Sequence, residues 1–183
     1  MPVRRSRTDE LSETLVERLD MNDLRTRRPG ALDEMARTFI GPLHRFVARL
    51  VGQEADAEDV VQQTFASVVS RIGAFHGDAA GLRSWVFTIA YRASIDVLRG
   101  RNRAVALEGD VADESAEPAD LETPPAELRR AFATIEPQDQ VLLTLKYQDD
   151  FSNPEIAGIL AVSANHVGVL LYRARQNLRK AIR

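Results

Sequence analysis

The chain has 183 residues, a formal net charge of −3 and 44% hydrophobic residues, enough for packed domains and too many for a disordered chain. It has no cysteine, which excludes disulfide scaffolds and cysteine nucleophiles, and its three scattered histidines do not predict a metal site. The basic N-terminus has no apolar stretch behind it, and no apolar run approaches the roughly 20 residues of a membrane span. We therefore expect a cytoplasmic protein without membrane insertion.

The first half of the chain has the apolar spacing of helices, and we predict an all-α fold. A short helix at residues 11–20 is followed by a longer one at 32–51, which is expected to bend near Pro42. No run alternates apolar and polar residues around hairpin turn residues, so no sheet is expected. We assign residues 1–10 to an N-terminal extension and 11–103 to the first helical domain.

The next helix, at residues 56–72, has an apolar stripe and a polar side. Its apolar residues recur at the spacing of one helix face: Val61, Phe65, Val68 and Ile72. Asp56 stands at its start and is predicted to cap it.

A third long helix, at residues 81–100, ends in a basic stretch. Its apolar residues repeat every four positions: Trp85, Ile89, Ala93 and Val97. This stripe predicts that Trp85 packs in the core. The stretch 92–103 carries four arginines against one acid, Asp96.

Residues 104–127 contain eight acidic residues and three prolines but no Lys or Arg. Removing these eight charges from the net charge of −3 leaves +5 on the rest of the chain. A segment so acidic and poor in aromatic residues cannot bury enough apolar surface to offset its ordering entropy. We predict a flexible acidic linker at 104–125, as either a solvated spacer or a strand that mimics nucleic acid.

The second domain, at residues 126–183, has the pattern of a helix-turn-helix. Pro137 suits a first helical turn, Ser152 and Glu155 form the S-x-x-E capping box, and Ser163 is a good cap for the last helix. Two helices joined by such a short turn can place the second helix in a major groove. Many helical hairpins share this spacing and bind nothing.

Three segments together resemble bacterial sigma-70-family factors. DAEDVVQQTF (56–65) and LRSWVFTIAYRASIDVLR (82–99) are similar to region 2, and residues 128–182 are similar to region 4. With only the acidic linker between them, the chain resembles an extracytoplasmic-function sigma factor over residues 15–183. The resemblance implies two small helical domains and a transcription initiation factor that binds core RNA polymerase, recognises minus-35 and minus-ten elements and promotes strand opening.

The resemblance implies that one face of the helix at 56–65 binds the clamp helices of the polymerase β′ subunit. The residues expected there are Asp56, Glu58, Asp59, Gln62 and Gln63. Carboxylates and amides suit a partner surface rich in guanidinium groups. Gln63 stands where the family usually has an acid. The pattern alone favours an ordinary solvated helix face, and the resemblance reverses that preference.

In the family, the loop at residues 73–82 and the following helix capture unstacked bases of the minus-ten element. Phe75 and His76 are expected to stack on a base, and arginines to hold phosphates. The complete predicted set is Phe75, His76, Arg83, Arg92, Arg99, Arg101 and Arg103.

The last helix is expected to read the minus-35 element, with the second domain docked near the polymerase β flap. The predicted residues are Ser163, Ala164, Asn165, His166, Val169, Tyr172, Arg173 and Arg175. Two positions that are usually basic in the family are not basic here, so we expect weaker or unusual minus-35 recognition. Gly168 either allows close backbone approach to DNA or is a tolerated defect.

No catalytic or metal-binding constellation and no cofactor motif is apparent, so we expect no enzymatic activity. The partners implied by the resemblance are core RNA polymerase, promoter DNA and an anti-sigma factor. Two alternatives stay open: a free-standing helix-turn-helix regulator, which would bind duplex DNA without polymerase, and a polymerase-binding adaptor, which would form no open complex.

Overall fold

A computed structural model describes residues 19–108 and 126–182 of the chain. Within these ranges every regular element is a helix, which confirms the all-α prediction, and the helices form two units. Three predicted segments lie outside the described residues: the extension at 1–10, most of the helix at 11–20 and linker residues 109–125. Residues 104–108, also assigned to the linker, continue the last helix of the first unit.

The described part of the first unit consists of α1 (Met21–Arg25), α2 (Ala31–Val51), α3 (Glu54–Arg71), a 3₁₀ turn (Ile72–Ala74) and α4 (Ala79–Glu108). That of the second unit consists of α5 (Ala126–Thr134), α6 (Pro137–Tyr147), α7 (Asn153–Leu160) and α8 (Ala164–Ala181).

The core of the first unit forms where α2, α3 and α4 pack against one another. Phe46 of α2 and Phe87 of α4 are both buried, with ring centroids 5.2 Å apart and ring planes tilted by 53°. Each buried side chain of this size stabilises the fold by roughly 1.5–3 kcal/mol. α2 ends at Val51 and is capped by Gly52, whose left-handed backbone (φ 76°) favours glycine. Pro42 lies inside α2 without ending it.

The apolar face of α3 lies largely as predicted. Val61, Val68 and Ile72 are buried, whereas Phe65 is only half-buried and Thr64 occupies the core position beside it. The Thr64 hydroxyl is buried and has no hydrogen-bond partner within the described residues.

The predicted apolar stripe of α4 is wrong. The buried residues are Leu82, Val86, Phe87, Ala90 and Ser94, whereas the predicted residues Trp85, Ile89, Ala93 and Val97 are half-buried. The buried residues Leu82, Val86, Ala90 and Ser94 also recur every four positions, so this spacing alone does not identify the buried face. α4 packs against both α2 and α3, and the face that lies inside is one residue, about 100° of helix rotation, from the predicted stripe.

The second unit has its core between α6, α7 and α8. Its largest buried side chains include Phe151, Leu145, Ile156 and Ile159. The predicted capping box is complete, because the Ser152 hydroxyl accepts from the Glu155 amide while the Glu155 carboxylate accepts from the Ser152 amide at 2.8 Å.

Among the described residues, no single helix is long and apolar enough to cross a membrane. α7 and α8 reach that length and hydropathy only when taken together, across a bend of 94°.

Candidate functional site

The polar side of α3 is an exposed surface of hydrogen-bond acceptors. Glu58, Asp59, Gln62 and Gln63 are all exposed and lie opposite the buried residues of the helix. We call these four residues the α3 acceptor face. Carboxylate and amide oxygens at this spacing can accept several hydrogen bonds from a guanidinium-rich partner.

Asp56 does not belong to this face, and the prediction that it caps α3 is wrong. α3 begins at Glu54 with Gln53 as its N-cap, so Asp56 lies within the first turn. Its carboxylate Oδ2 lies 3.5 Å from Nη1 of Arg101, and both side chains are about one-third exposed. Nη1 of Arg101 also donates to the carbonyl of Val51 at 2.7 Å, at the end of α2. Arg101 therefore joins three helices, and its contact with DNA stays a prediction.

The loop after the 3₁₀ turn is held by a residue that the sequence analysis missed. Nε of Arg25, in α1, donates to the Phe75 carbonyl at 2.7 Å, and Nη2 donates to the Gly77 carbonyl at 2.7 Å. The donor and its acceptors are about 50 residues apart in the chain, so no local pattern indicates the contact.

The Phe75 ring stacks on Trp85, with centroids 4.9 Å apart and planes at 29°. Trp85 is half-buried, so the prediction that it packs in the core is wrong. Because the Phe75 ring is engaged within the protein, the neighbouring His76, which is exposed, is the aromatic side chain that the loop presents.

The exposed side of α4 carries two of the predicted arginines. Arg92 and Arg99 are exposed and seven residues apart, two turns along one helix face, and Trp85 precedes them by another seven. Arg99 lies 3.8 Å from Asp96, an exposed pairing that binds it only weakly.

The other predicted α4 arginine is Arg83, which is half-buried near the start of the helix. Arg103 lies on α4, and its side chain is outside the described part of the chain. Burial raises the pKa of Tyr91 above 10.0, and the Arg99 cation opposes this shift. Tyr91 is therefore a neutral phenol at neutral pH and adds no negative charge beside the arginines.

The second unit contains the predicted helix-turn-helix. α7 ends at Ala161, which has a left-handed backbone (φ 55°, ψ 43°), and the Val162 amide donates to the Ala157 carbonyl at 3.0 Å. The Ser163 hydroxyl then caps α8 by accepting from the His166 amide at 3.3 Å. The predicted Ser163 cap is therefore confirmed.

All eight predicted minus-35 residues are exposed. Helical geometry places Asn165, Val169 and Tyr172 on the side of α8 opposite its buried residues. Val169 is 55% and Tyr172 58% exposed, which is unusual for side chains of their size. The centre of this surface is therefore apolar.

Charge and free space lie at the flanks of that apolar centre. Arg173 is exposed on one flank. On the other, Arg175 Nη1 donates to the Tyr147 hydroxyl at 3.4 Å, which draws it towards α6. Gly168 lies on the same side of α8 as Arg175, two turns nearer the start of the helix. A Cβ added at Gly168 would meet nothing within 4 Å, so packing does not require glycine there.

Comparisons with known proteins agree with the two-unit architecture. The family model for sigma-70 region 2 matches residues 35–104, and that for sigma-70 region 4 matches residues 126–178. The chain is similar to the RNA polymerase sigma-H factor of Pseudomonas aeruginosa, with 28% identity over 96% of this chain and 95% of that protein. It is 25% identical to the ECF RNA polymerase sigma factor SigM of Bacillus subtilis, over 81% of this chain and 93% of that protein.

Other relatives are longer than the matched region. Similarity to the ECF RNA polymerase sigma factor BldN of Streptomyces coelicolor, at 29% identity, covers 76% of this chain and 56% of that protein.

Two solved structures share the fold. The sigma factor RpoE, in complex with the anti-sigma factor NepR from Bartonella quintana, has a TM-score of 0.71 and 21% identity, covering 82% of this chain and 95% of that chain. CnrH, in complex with the cytosolic domain of CnrY, has a TM-score of 0.65 and 22% identity, covering 90% and 96%.

Proposed function

The chain belongs to the sigma-70 family as an alternative sigma factor of the extracytoplasmic-function group, a factor for transcription initiation, and we propose that it acts through three separate surfaces. One binds core RNA polymerase, one captures the minus-ten element and one reads the minus-35 element. The observation that carries this proposal is the helix-turn-helix of the second unit, whose predicted reading residues are all exposed.

The α3 acceptor face is the polymerase-binding surface in this proposal. Its two carboxylates, Glu58 and Asp59, and two amides are exposed side by side, which suits the β′ clamp helices that the family uses. Asp56 is not part of this surface in the proposal, because its carboxylate is paired with Arg101 of α4.

The minus-ten surface consists of His76 and the exposed side of α4. The imidazole offers a flat ring for an unstacked base, and Arg92 and Arg99 offer charge to the phosphates. Phe75 and Arg101, which the resemblance also assigns to DNA, have contacts within the protein and are left out of this surface.

The minus-35 surface contacts the bases mainly through the middle of the exposed side of α8. Asn165 can bond an adenine edge in the major groove, and Val169 can contact the methyl group of thymine. Arg173 and Arg175 are placed for phosphates on either side. The interface therefore favours A·T pairs and depends less on charge than one with two further basic residues.

The partners follow from the same reading. The polymerase supplies the chemistry, and the chain itself catalyses nothing and acts in the cytoplasm, where the polymerase works. RpoE is bound to the anti-sigma factor NepR, and CnrH is bound to the cytosolic domain of CnrY. The shared fold supports an anti-sigma factor that covers the polymerase and DNA surfaces of this chain.

Run-off transcription with purified core polymerase and a library of genomic promoter fragments tests this function. The wild-type chain is expected to produce specific transcripts that core polymerase alone does not. The double variant Glu58→Lys/Asp59→Lys should abolish them, whereas Asp33→Lys, an exposed charge reversal on α2, should not. Duplex binding without polymerase and without transcripts would indicate a free-standing regulator, and polymerase binding without transcripts an adaptor.

A further inference from the structure

The loop from Phe75 to Asp78 is bonded to α1 by the guanidinium of Arg25. Nε and Nη2 lie on one edge of the planar group and donate to two carbonyls, those of Phe75 and Gly77, each at 2.7 Å. Two parallel bonds from a rigid fork fix both the position and the direction of the loop backbone. A lysine ammonium, which is a single point charge, cannot reproduce this pair of directions.

α1 is itself fixed to the unit, so the guanidinium is held in place. Leu24 is fully buried, and the Asp20 carboxylate caps the helix by accepting from the amides of Asn22 at 2.8 Å and Asp23 at 3.1 Å. The backbone of α1 also approaches the 3₁₀ turn closely, since a Cβ on Gly73 would lie 3.5 Å from the Arg25 carbonyl. A helix of five residues has little stability of its own, so these contacts determine where Arg25 lies.

The opposite side of the loop is closed by aromatic packing. The Phe75 ring stacks on Trp85 and also covers Gly77, where an added Cβ would clash with the ring. A larger residue at that position would force the Phe75 ring to move. The loop ends at Asp78, whose carboxylate accepts from the Gly81 amide at 2.8 Å in the first turn of α4.

These contacts leave His76 as the aromatic side chain of the loop that is exposed to solvent. The backbone on both sides of His76 is bonded to Arg25, and the ring of Phe75 is stacked within the protein. His76 is exposed between these fixed neighbours. Because the loop backbone is already held in this way, it loses little additional conformational freedom when His76 meets a base.

We propose that Arg25 is a positioning residue for minus-ten recognition, which fixes the 75–78 loop so that His76 meets the unstacked base. The proposal rests on the minus-ten role described above. Arg25 touches no DNA in this arrangement, and it acts only through the loop.

The test uses the full chain assembled with core polymerase, and a fork-junction DNA whose minus-ten element is single-stranded. The DNA is taken from a promoter found by run-off transcription, and a second version lacks the captured base. Mobility-shift titration then measures how much the base contributes to binding. Arg25→Lys is the test variant, and Arg28→Ala is the matched control, because Arg28 lies in the same segment and its guanidinium bonds Asp23 and not the loop.

The Arg25→Lys holoenzyme is expected to lose about tenfold in affinity for the intact fork and to bind both DNAs almost equally. His76→Ala should have the same effect, and the double variant should lose no more than His76→Ala alone, because the two residues act in sequence. Gly77→Ala distorts the loop from its other side and should lower the same ratio. Binding to core polymerase should stay that of the wild type for Arg25→Lys and Arg28→Ala. Arg25→Lys should melt at a lower temperature, because it loses two charged hydrogen bonds, so the titrations are made where circular dichroism shows both variants fully folded.

Two results would overturn the proposal in distinguishable ways. If the wild-type holoenzyme binds both DNAs equally, the minus-ten role of this loop fails, and the positioning role with it. If the wild type distinguishes them and Arg25→Lys does so equally well, or if the losses of Arg25→Lys and His76→Ala simply add, only the positioning role fails.

Discussion

Arg101 and Asp56 face each other across α4 and α3, with Nη1 3.5 Å from Oδ2. The family resemblance assigns the arginine to DNA and the aspartate to polymerase, because it places them in the minus-ten and polymerase-binding segments. In the structure both are about one-third exposed, and the arginine also holds the end of α2 through the Val51 carbonyl. The pair therefore helps to hold α2, α3 and α4 together, the helices on which the proposed polymerase and minus-ten surfaces depend.

Arg101→Ala should lower the free energy of unfolding by about 1–3 kcal/mol, because it removes a charged donor from the half-buried Val51 carbonyl contact. Arg99→Ala is the matched control, since Arg99 is 72% exposed and its distant pairing with Asp96 contributes about 0–1 kcal/mol at most. Urea denaturation measures the stability of both variants. If Arg101→Ala is as stable as the wild type but binds DNA more weakly, Arg101 belongs to the DNA-binding surface.

Gly168→Ala should stabilise the second unit by up to about 1 kcal/mol, because alanine is the better helix former and an added Cβ meets nothing there. If DNA approaches the backbone at this position, the same variant should weaken minus-35 binding at least fivefold. Gly158→Ala is the control, because Gly158 is also an exposed helical glycine with open space around it. It should stabilise α7 without changing DNA affinity. Equal binding by both variants would make Gly168 a tolerated defect.

Ser163→Asp should separate the capping role of this residue from its place at the DNA surface. Aspartate caps a helix as well as serine does, so the unfolding free energy should change by less than about 0.5 kcal/mol. The new negative charge at the start of α8 should lower affinity for the minus-35 duplex more than tenfold. Ser163→Asn, which caps without charge, should lower it much less. Urea denaturation and duplex titration are the two measurements, and equal affinities for both variants would place this end of α8 away from DNA.

Val169→Ala should reduce minus-35 binding only where the duplex carries a thymine methyl group. Replacing the contacted thymine by uracil removes that methyl, and the wild type should then lose about as much affinity as the variant loses on normal DNA. The variant should be insensitive to the uracil substitution. Duplex titrations with thymine and uracil at each A·T pair of the element test this. Additive losses from the two changes would show that Val169 contacts something else.

Asp20→Ala should destabilise the first unit at neutral pH and much less in acid. Hydrogen bonds from the backbone amides of Asp23 and Asn22 lower the pKa of Asp20 below 3.8, so the folded state favours its ionised form. This contribution is fully present above pH 3.8 and is lost as the pH falls through the lower pKa of the folded state.

Urea midpoints of the wild type and Asp20→Ala, measured from pH 7 downwards, should therefore converge below pH 3.8. Asp20→Asn keeps a neutral acceptor and should lie near the wild type at pH 7. A difference between wild type and Asp20→Ala that grows in acid would contradict the sign of this pKa shift.

Helical periodicity and capping residues were sufficient to predict the two units and the helix-turn-helix. Ser152, Glu155 and Ser163 act within three residues of their partners, so their roles are legible in the sequence itself. The exposure of the α3 acceptor face also follows from the spacing of its buried neighbours. The assignment of these surfaces to polymerase and DNA stays a prediction.

What could not be predicted depends on how helices meet. The buried face of α4 is set by two neighbouring helices at once, so the conspicuous repeat of Trp85 and Ile89 pointed to the wrong side. The bonds from Arg25 to the loop and from Arg101 to α2 each join residues about 50 positions apart, and arginines there look no different from exposed ones. Residue type alone does not separate a framework arginine from a DNA-binding one.

Trp85 is the only tryptophan in the whole sequence, and it is stacked on the ring of the loop that carries His76. The chain therefore has a built-in optical reporter at this position. Its intrinsic emission senses the Phe75 stack directly, without an attached dye. We expect loosening of the loop and capture of a base to change the surroundings of that single indole, so that stopped-flow fluorescence can follow both in real time on the unmodified protein.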